Sequence, residues 1–548
     1  MNLRIRPMFP ARLPPWFWLW AALTGVMVVL RPAMPIDETR YLAAAWEMWW
    51  RGSIAVPYLN GEFYAGKPPL FFWLMQLGWW ALGFNDWWPR LVVALFGLGD
   101  LVLTRAIARR LWGDHPAARL APLILLGSFY WAVFCISIMF DMLLGFFALS
   151  SVYAVIRAWQ DGRARYFALA GLALGFGILT KGPVVFLPAL FTALFAPWWG
   201  RGSDSWRAGW LRWYGGALGA AGIAGLIALA WLVPVALTSD VAYVLNLTLH
   251  QTAGYMADSF AHRRPVWWYA MMVPLLLYPW SFWARAWKAL AAWRKSQDPG
   301  VRLCLVWSVA VLIVFSLISG KQAHYPLLMF PAVALLLGRL LPEVERGRDV
   351  SLLLPALAPV VLGAALIAVG AGLVHLKSAA WFAEMPSGPL YLAGAGMIAI
   401  GLAMAAARRL ALDLRIAVLS AATCAAIVVM GLGIARASGS AYDIRAISAV
   451  IGRLEAQGAP LAAARTYSGQ FTFYGRIRSR IEPTRASSPE QWAAGHPDGY
   501  LIAFYQAEDW PPAGEPAPVF RSLYRGGGVA IWRARDILAH PEIAAPFK

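Results

Sequence analysis

Two polar stretches interrupt an otherwise apolar N-terminal region, Pro35-Ile36-Asp37-Glu38-Thr39-Arg40-Tyr41 and Tyr64-Ala65-Gly66-Lys67-Pro68-Pro69-Leu70. In a chain this apolar, such a concentration of charge needs a chemical or electrostatic reason. Asp37 and Glu38 are candidate catalytic carboxylates, able to orient a hydroxyl or take its proton. Arg40, one helical turn on from Asp37, and Lys67 are candidate contacts to a phosphate, where fixed positive charge stabilises a leaving group as it develops. The paired prolines hold Lys67 at the mouth of a helix, since proline suits a first helical position. The plain alternatives are that Asp37 caps a helix and that Lys67 snorkels to lipid headgroups.

Further candidates lie downstream. Asp141 stands a few residues into an apolar run, where a carboxylate costs a few kcal/mol and a functional role is the default expectation. Arg263 and Arg264 precede a Trp-rich segment and fit either a bidentate phosphate clamp or an interfacial anchor. Tyr64, Lys181, Lys321 and Tyr325 are candidate cavity-lining residues, and Asp100 with Arg105 reads as a buried structural pair. No cofactor is required by this chemistry. A divalent metal on His262, Glu62 and His324, with His250 and Glu38 as further donors, is the weak alternative, because the spacing matches no local ligand pattern.

The elements that must position these residues are membrane spans. The sequence is 60% hydrophobic and 14% charged, more apolar than a soluble fold can bury. Its net charge of +19 comes in small clusters between apolar runs, which fits positive-inside topology and not a nucleic-acid interface. Apolar runs at 15–33, 91–111, 118–135, 138–158, 165–181, 183–198, 214–237, 267–286, 303–319, 325–341, 351–374, 388–408 and 414–434 predict thirteen crossings. With the N-terminus inside, every inner loop is basic. The segment 70–84 is too short to cross and reads as an outer interfacial helix. This topology puts the first outer loop at 34–90 and a long second one at 238–266, with Asp37, Lys67, Asp141 and Lys181 all at the outer face.

The expected architecture is mostly α, a polytopic bundle of residues 1–434 followed by a small outer α/β domain over 435–548. In that domain Ile444, Ile447, Ile451 and Leu454 recur at helical spacing. Strands are expected at 461–464, 500–505 and 529–532, with a turn at Gly526-Gly527-Gly528 and a loop over 511–518. Cys135, Cys304 and Cys424 all fall in apolar runs, which leaves no disulfide framework in that domain.

The ordered landmarks Asp37-Glu38-xx-Tyr41, Asn60-Gly61-Glu62-x-Tyr64, Lys67-Pro68-Pro69-Leu70, Leu179-Thr180-Lys181-Gly182-Pro183, His262-x-Arg264-Pro265, Pro279-Trp280 and Tyr325-xxxx-Phe330-Pro331 resemble a known family. It is the GT-C class of polyprenyl-phosphate-sugar glycosyltransferases, in the protein-mannosyltransferase-like branch that includes bacterial lipid A aminoarabinose transferases. The resemblance covers residues 15–340 and implies a helical bundle with an outward cavity and a periplasmic C-terminal domain. It implies a donor sugar on undecaprenyl phosphate, a lipid A or other periplasmic acceptor, and location in the bacterial inner membrane. Asp37 and Asp141 match the family's acids, and Lys67 with Arg263 or Arg264 match its contacts to lipid phosphate. Gly66 departs from it, standing where an acidic residue commonly precedes the lysine in the aminoarabinose enzymes. Transfer to a protein or polysaccharide hydroxyl, and transport of the lipid-linked sugar without bond cleavage, are the competing readings.

Overall fold

The computed structural model describes residues 13–200, 209–239, 243–244, 263–344, 347, 349–374, 386–464, 466–484, 488–506 and 516–547. Apolar runs become helices because only a helix satisfies its own backbone where no water reaches. Among the described residues eight helices are long and apolar enough to cross a membrane: Trp87–Trp112, Asp141–Asp161, Trp210–Thr238, Pro299–Leu317, Tyr325–Glu343, Val350–Gly370, Ser387–Arg409 and Leu412–Ala437. The other predicted crossings hold shorter or broken helices, such as Pro15–Leu30, Arg165–Lys181 and the pair Ala117–Leu126 and Phe129–Phe134. Leu218, Leu226, Leu229, Val233 and Leu237 lie exposed along one of the long helices. An apolar face of that extent fits lipid and not water.

Segment 70–84 contains the helix Leu70–Leu82, which packs against the helices Asp37–Arg51 and Trp87–Trp112. Asp37–Arg51 is amphipathic, burying Tyr41, Leu42, Ala45 and Met48, and it ends at Gly52 in the left-handed conformation (φ 66°). Asp37 is its first helical residue and makes no capping hydrogen bond, which sets aside the capping role, although both acids do sit in the favourable first turn. The expected Asp100–Arg105 pair is not formed. Asp100 is 1% exposed and neither carboxylate oxygen has a hydrogen-bond partner. The three cysteines are buried and free.

Between the first two helices of this region, β1 (Tyr58–Leu59) and β2 (Glu62–Phe63) form a hairpin that turns at Asn60-Gly61. Both turn residues have positive φ, 55° and 82°, as the two-residue turn that matches strand twist requires.

Beyond Ala437 the chain forms a five-stranded sheet from β3 (Leu461–Ala463), β4 (Glu482–Pro483), β5 (Tyr500–Tyr505), β6 (Phe520–Tyr524) and β7 (Gly527–Arg533), in the order β4-β3-β5-β7-β6. Alternation along β5 sends Ile502 to one face, with Ile447, Ile451 and Phe471, and Leu501 and Ala503 to the other, with Trp492 and Trp532. Strands β4 and β6 add to the three that the sequence predicts. The predicted triple-glycine turn is displaced, because Tyr524 pairs with Gly527 and the turn is Arg525-Gly526. Most of the expected 511–518 loop lies outside the described residues.

Candidate functional site

Four elements converge at one end of the bundle: the start of Asp37–Arg51, the loop after β2, the start of Asp141–Asp161 and the end of Arg165–Lys181. Asp141 is 5% exposed; its Oδ1 accepts a 2.7 Å hydrogen bond from Lys181 Nζ, while Oδ2 is buried and has no hydrogen-bond partner. Lys181 Nζ also lies 5.8 Å from the Tyr325 ring centroid. A carboxylate with one oxygen paired to a cation keeps a second oxygen able to accept a hydrogen bond at the same place.

Lys67 has no carboxylate within ion-pair distance among the described residues. Its Nζ donates to the Gly66 carbonyl at 2.9 Å and lies 5.9 Å from the Tyr41 ring centroid. Burial, and then the neighbouring Lys181 charge, push its pKa down to about 8. Tyr41 is packed edge-on against Phe140 at 5.0 Å, so the aromatic floor under Lys67 is tied to the residue that precedes Asp141.

Asp37 pairs with Arg40 at the rim, its side chain 57% exposed. Glu38 is different. Its oxygens accept from Arg31 Nη2 at 2.5 Å, Arg31 Nη1 at 3.1 Å and the Met34 amide at 3.1 Å, and Arg31 also reaches the Ile136 carbonyl at 3.4 Å. Both Glu38 oxygens are therefore engaged in joining the Asp37 loop to the loop before Asp141. Arg31, the partner, lies at the end of an apolar run where composition and periodicity do not single it out. Only its sequence distance of seven residues from Glu38 could have suggested it.

Tyr64 folds back over Gly66. A Cβ built at residue 66 would lie 2.5 Å from Tyr64 Cζ and 2.6 Å from its hydroxyl, so the missing side chain is what admits the ring. Lys321 is 3% exposed and gives its amine to the carbonyls of Arg264, at 3.1 Å, and Ile318. The amine thus acts as a latch between these backbone segments. The latch holds Arg263, bridged to Gly320, and Arg264, whose amide donates to Ser319 O at 3.2 Å. Their guanidinium groups are exposed and make no ion pair with the described residues.

The metal alternative finds no support among the described residues, where no three His, Cys, Asp or Glu are grouped to hold an ion. Glu62 pairs with Arg480 at 2.6 Å, and His324 lies against Phe134 and Tyr325. His262, His250 and most of the 238–266 loop lie outside the described residues.

Residues 66–227, which contain Lys67, Asp141 and Lys181, match the family model of dolichyl-phosphate-mannose-protein mannosyltransferase. Over 94% of this chain and 97% of the other, the structure superposes on the crystal structure of ArnT from Cupriavidus metallidurans bound to undecaprenyl phosphate, with a TM-score of 0.75 and 19% identity. The chain has the ArnT fold. Among curated proteins it is 29% identical to the undecaprenyl phosphate-alpha-4-amino-4-deoxy-L-arabinose arabinosyl transferase of Pseudomonas paraeruginosa, over 61% of this chain and 60% of that one. It is 26% identical to the Serratia proteamaculans protein of the same name, over 68% and 70%. The chain thus aligns with less than two thirds of the length of the first of these relatives. The resemblance carried by the landmark residues is met by the family match, the named relatives and the ArnT fold alike.

Proposed function

We propose that this chain is an integral membrane glycosyltransferase that moves a sugar from undecaprenyl phosphate to a phosphate of lipid A. The sugar is 4-amino-4-deoxy-L-arabinose or a related amino-sugar, as in the relatives' names. The reaction takes place on the periplasmic face, in a thirteen-crossing topology with the N-terminus inside and the α/β domain outside. The observation that carries the reading is Lys67, a half-buried cation without a carboxylate at ion-pair distance among the described residues, beside the Asp141–Lys181 pair.

In this reaction the bond from the sugar's anomeric carbon to the phosphate oxygen breaks, its electron pair leaving with undecaprenyl phosphate, and an acceptor oxygen bonds to that carbon. Lys67, with Arg40 and Arg263 or Arg264 at the rim, offsets the second negative charge gained by the departing phosphate. A phosphate acceptor is already a nucleophile and needs no base. Asp37 and Asp141 then orient the sugar and bind its amino group. The unpartnered Asp141 Oδ2 favours one second reading, in which it takes the proton of a hydroxyl acceptor.

The test is release of free undecaprenyl phosphate from the sugar-loaded donor by purified protein supplied with lipid A as acceptor, with mass spectrometry of lipid A from cells with and without it. Transport without bond cleavage predicts no release. An unchanged lipid A, with release intact, moves the acceptor to a hydroxyl.

A further inference from the structure

The C-terminal domain grips both chain segments that carry the site. On the first, Arg476 places its guanidinium 5.1 Å from the Trp46 ring, 4.9 Å from Phe84 and 4.4 Å from Phe473, while Trp46 Nε1 donates to the Ile477 carbonyl at 3.0 Å. Tyr474 donates to Asp86 Oδ2 at 2.6 Å. Trp46 lies on the helix that begins with Asp37. On the second, the Asn60 side chain makes a reciprocal clasp with one residue of the domain: Nδ2 donates to Ile481 O and Oδ1 accepts from Ile481 N, both at 2.9 Å. Ile481 directly precedes strand β4, so the Asn60 amide docks where a neighbouring peptide group would. The adjacent Gly61 amide donates to Glu47 Oε1 at 2.9 Å, and Glu62 pairs with Arg480.

Two features argue that the clasp does more than attach a domain. The Asn60-Gly61 turn needs only a residue that tolerates positive φ, which glycine at 60 would also supply; the side chain is spent on Ile481 instead. In addition, β2 leads within a few residues to Tyr64, Gly66 and Lys67, so the hairpin's position sets where Lys67 emerges over Tyr41. Because Trp46 and Asn60 are held by neighbouring residues of one domain, that domain fixes the helix bearing Asp37 and Arg40 relative to the loop bearing Lys67.

We propose that Asn60 is a positioning residue, and that through it the C-terminal domain sets the placement of Lys67 against Arg40 and Asp141. This rests on the transferase reading for its activity arm but not for its structural arm.

The test uses the full-length protein in detergent or nanodiscs, with Asn60→Gly, which keeps the turn and removes both bonds, and Asn60→Asp, which keeps the acceptor for Ile481 N–H and loses the donor. Three quantities are read: amide hydrogen exchange in a peptide spanning residue 481, the rate of Lys67 acylation by an amine-reactive ester, and kcat and KM for release of undecaprenyl phosphate from its sugar. Asn60→Gly is expected to speed exchange at 481 by tenfold or more, change Lys67 acylation by threefold or more, and lower kcat about tenfold with a smaller effect on KM. Asn60→Asp should fall between it and wild type. Faster exchange with Lys67 acylation and kcat both at wild-type values reduces the clasp to a domain attachment and overturns the proposal. Unchanged exchange overturns the clasp itself. If the wild type releases no undecaprenyl phosphate, the transferase reading fails, and the acylation rates still decide the positioning role.

Discussion

Asp141 gives one oxygen to Lys181 at 2.7 Å and leaves the other buried without a hydrogen-bond partner. Breaking a buried ion pair from one side strands a charge, at a cost of about 3–5 kcal/mol, whereas removing both partners costs much less. Asp141→Asn and Lys181→Met are each expected to lower the thermal midpoint, and the double variant to recover part of the loss. Turnover should fall at least a hundredfold in Asp141→Asn and stay lost in the double variant. Recovered turnover in the double variant would show that Asp141 serves only to neutralise Lys181.

The Lys67 amine gives a pH signature. With its pKa near 8, it is charged below about pH 8 and neutral above, so affinity for a phosphate-bearing donor is expected to weaken as pH rises through that value. Lys67→Arg keeps its charge and should flatten this limb of the KM profile. Stability of the ligand-free protein runs the other way. A lysine pKa lowered by folding means that the unfolded chain binds more protons between about pH 8 and the ordinary lysine value of 10.5, so this group's contribution to stability rises across that window. Opposite slopes for donor binding and stability would identify Lys67; parallel slopes would assign the pH effect elsewhere.

Glu38 tests the distinction between a catalytic acid and a staple. Its bonds to Arg31 and the Met34 amide are partly buried, so Glu38→Gln is expected to destabilise by less than the roughly 3–5 kcal/mol of a fully buried pair, about 2 kcal/mol, read as a lower unfolding midpoint, and to lower turnover in parallel. A variant with wild-type stability and abolished turnover would place Glu38 in the catalytic set.

Residue 66 controls Tyr64. Gly66→Glu must displace the ring, since Tyr64 Cζ occupies the space a Cβ needs. The atoms in the way are the far end of a movable side chain, so the expected result is a small change in stability with a donor KM raised about tenfold. Adding Tyr64→Ala should then change KM little further. A Gly66→Glu protein with unchanged KM would show that the Tyr64 ring lies outside the donor path.

The sequence by itself determined the class of molecule and much of its wiring. Apolar content and the basic clusters required a membrane bundle, and the isolated charges at Asp37, Lys67, Asp141 and Lys181 could be singled out because charge is costly in such a chain. The amphipathic helix after Asp37 and the α/β character beyond Ala437 followed from periodicity, which is a local property. Only the tertiary structure decided which of those charges are partners. Asp141 with Lys181, and Lys321 with the Arg264 carbonyl, are pairings made by packing across 40 and 57 residues, and no spacing along the chain encodes them. Asp100 makes the converse point, because Arg105, five residues on along the same helix, forms no ion pair with it. The Asn60–Ile481 clasp spans 421 residues, and a periodicity read over a few helical turns cannot register it. The sequence could therefore locate the ingredients of the site, while the long-range contacts decided which side chain or backbone group each of them meets.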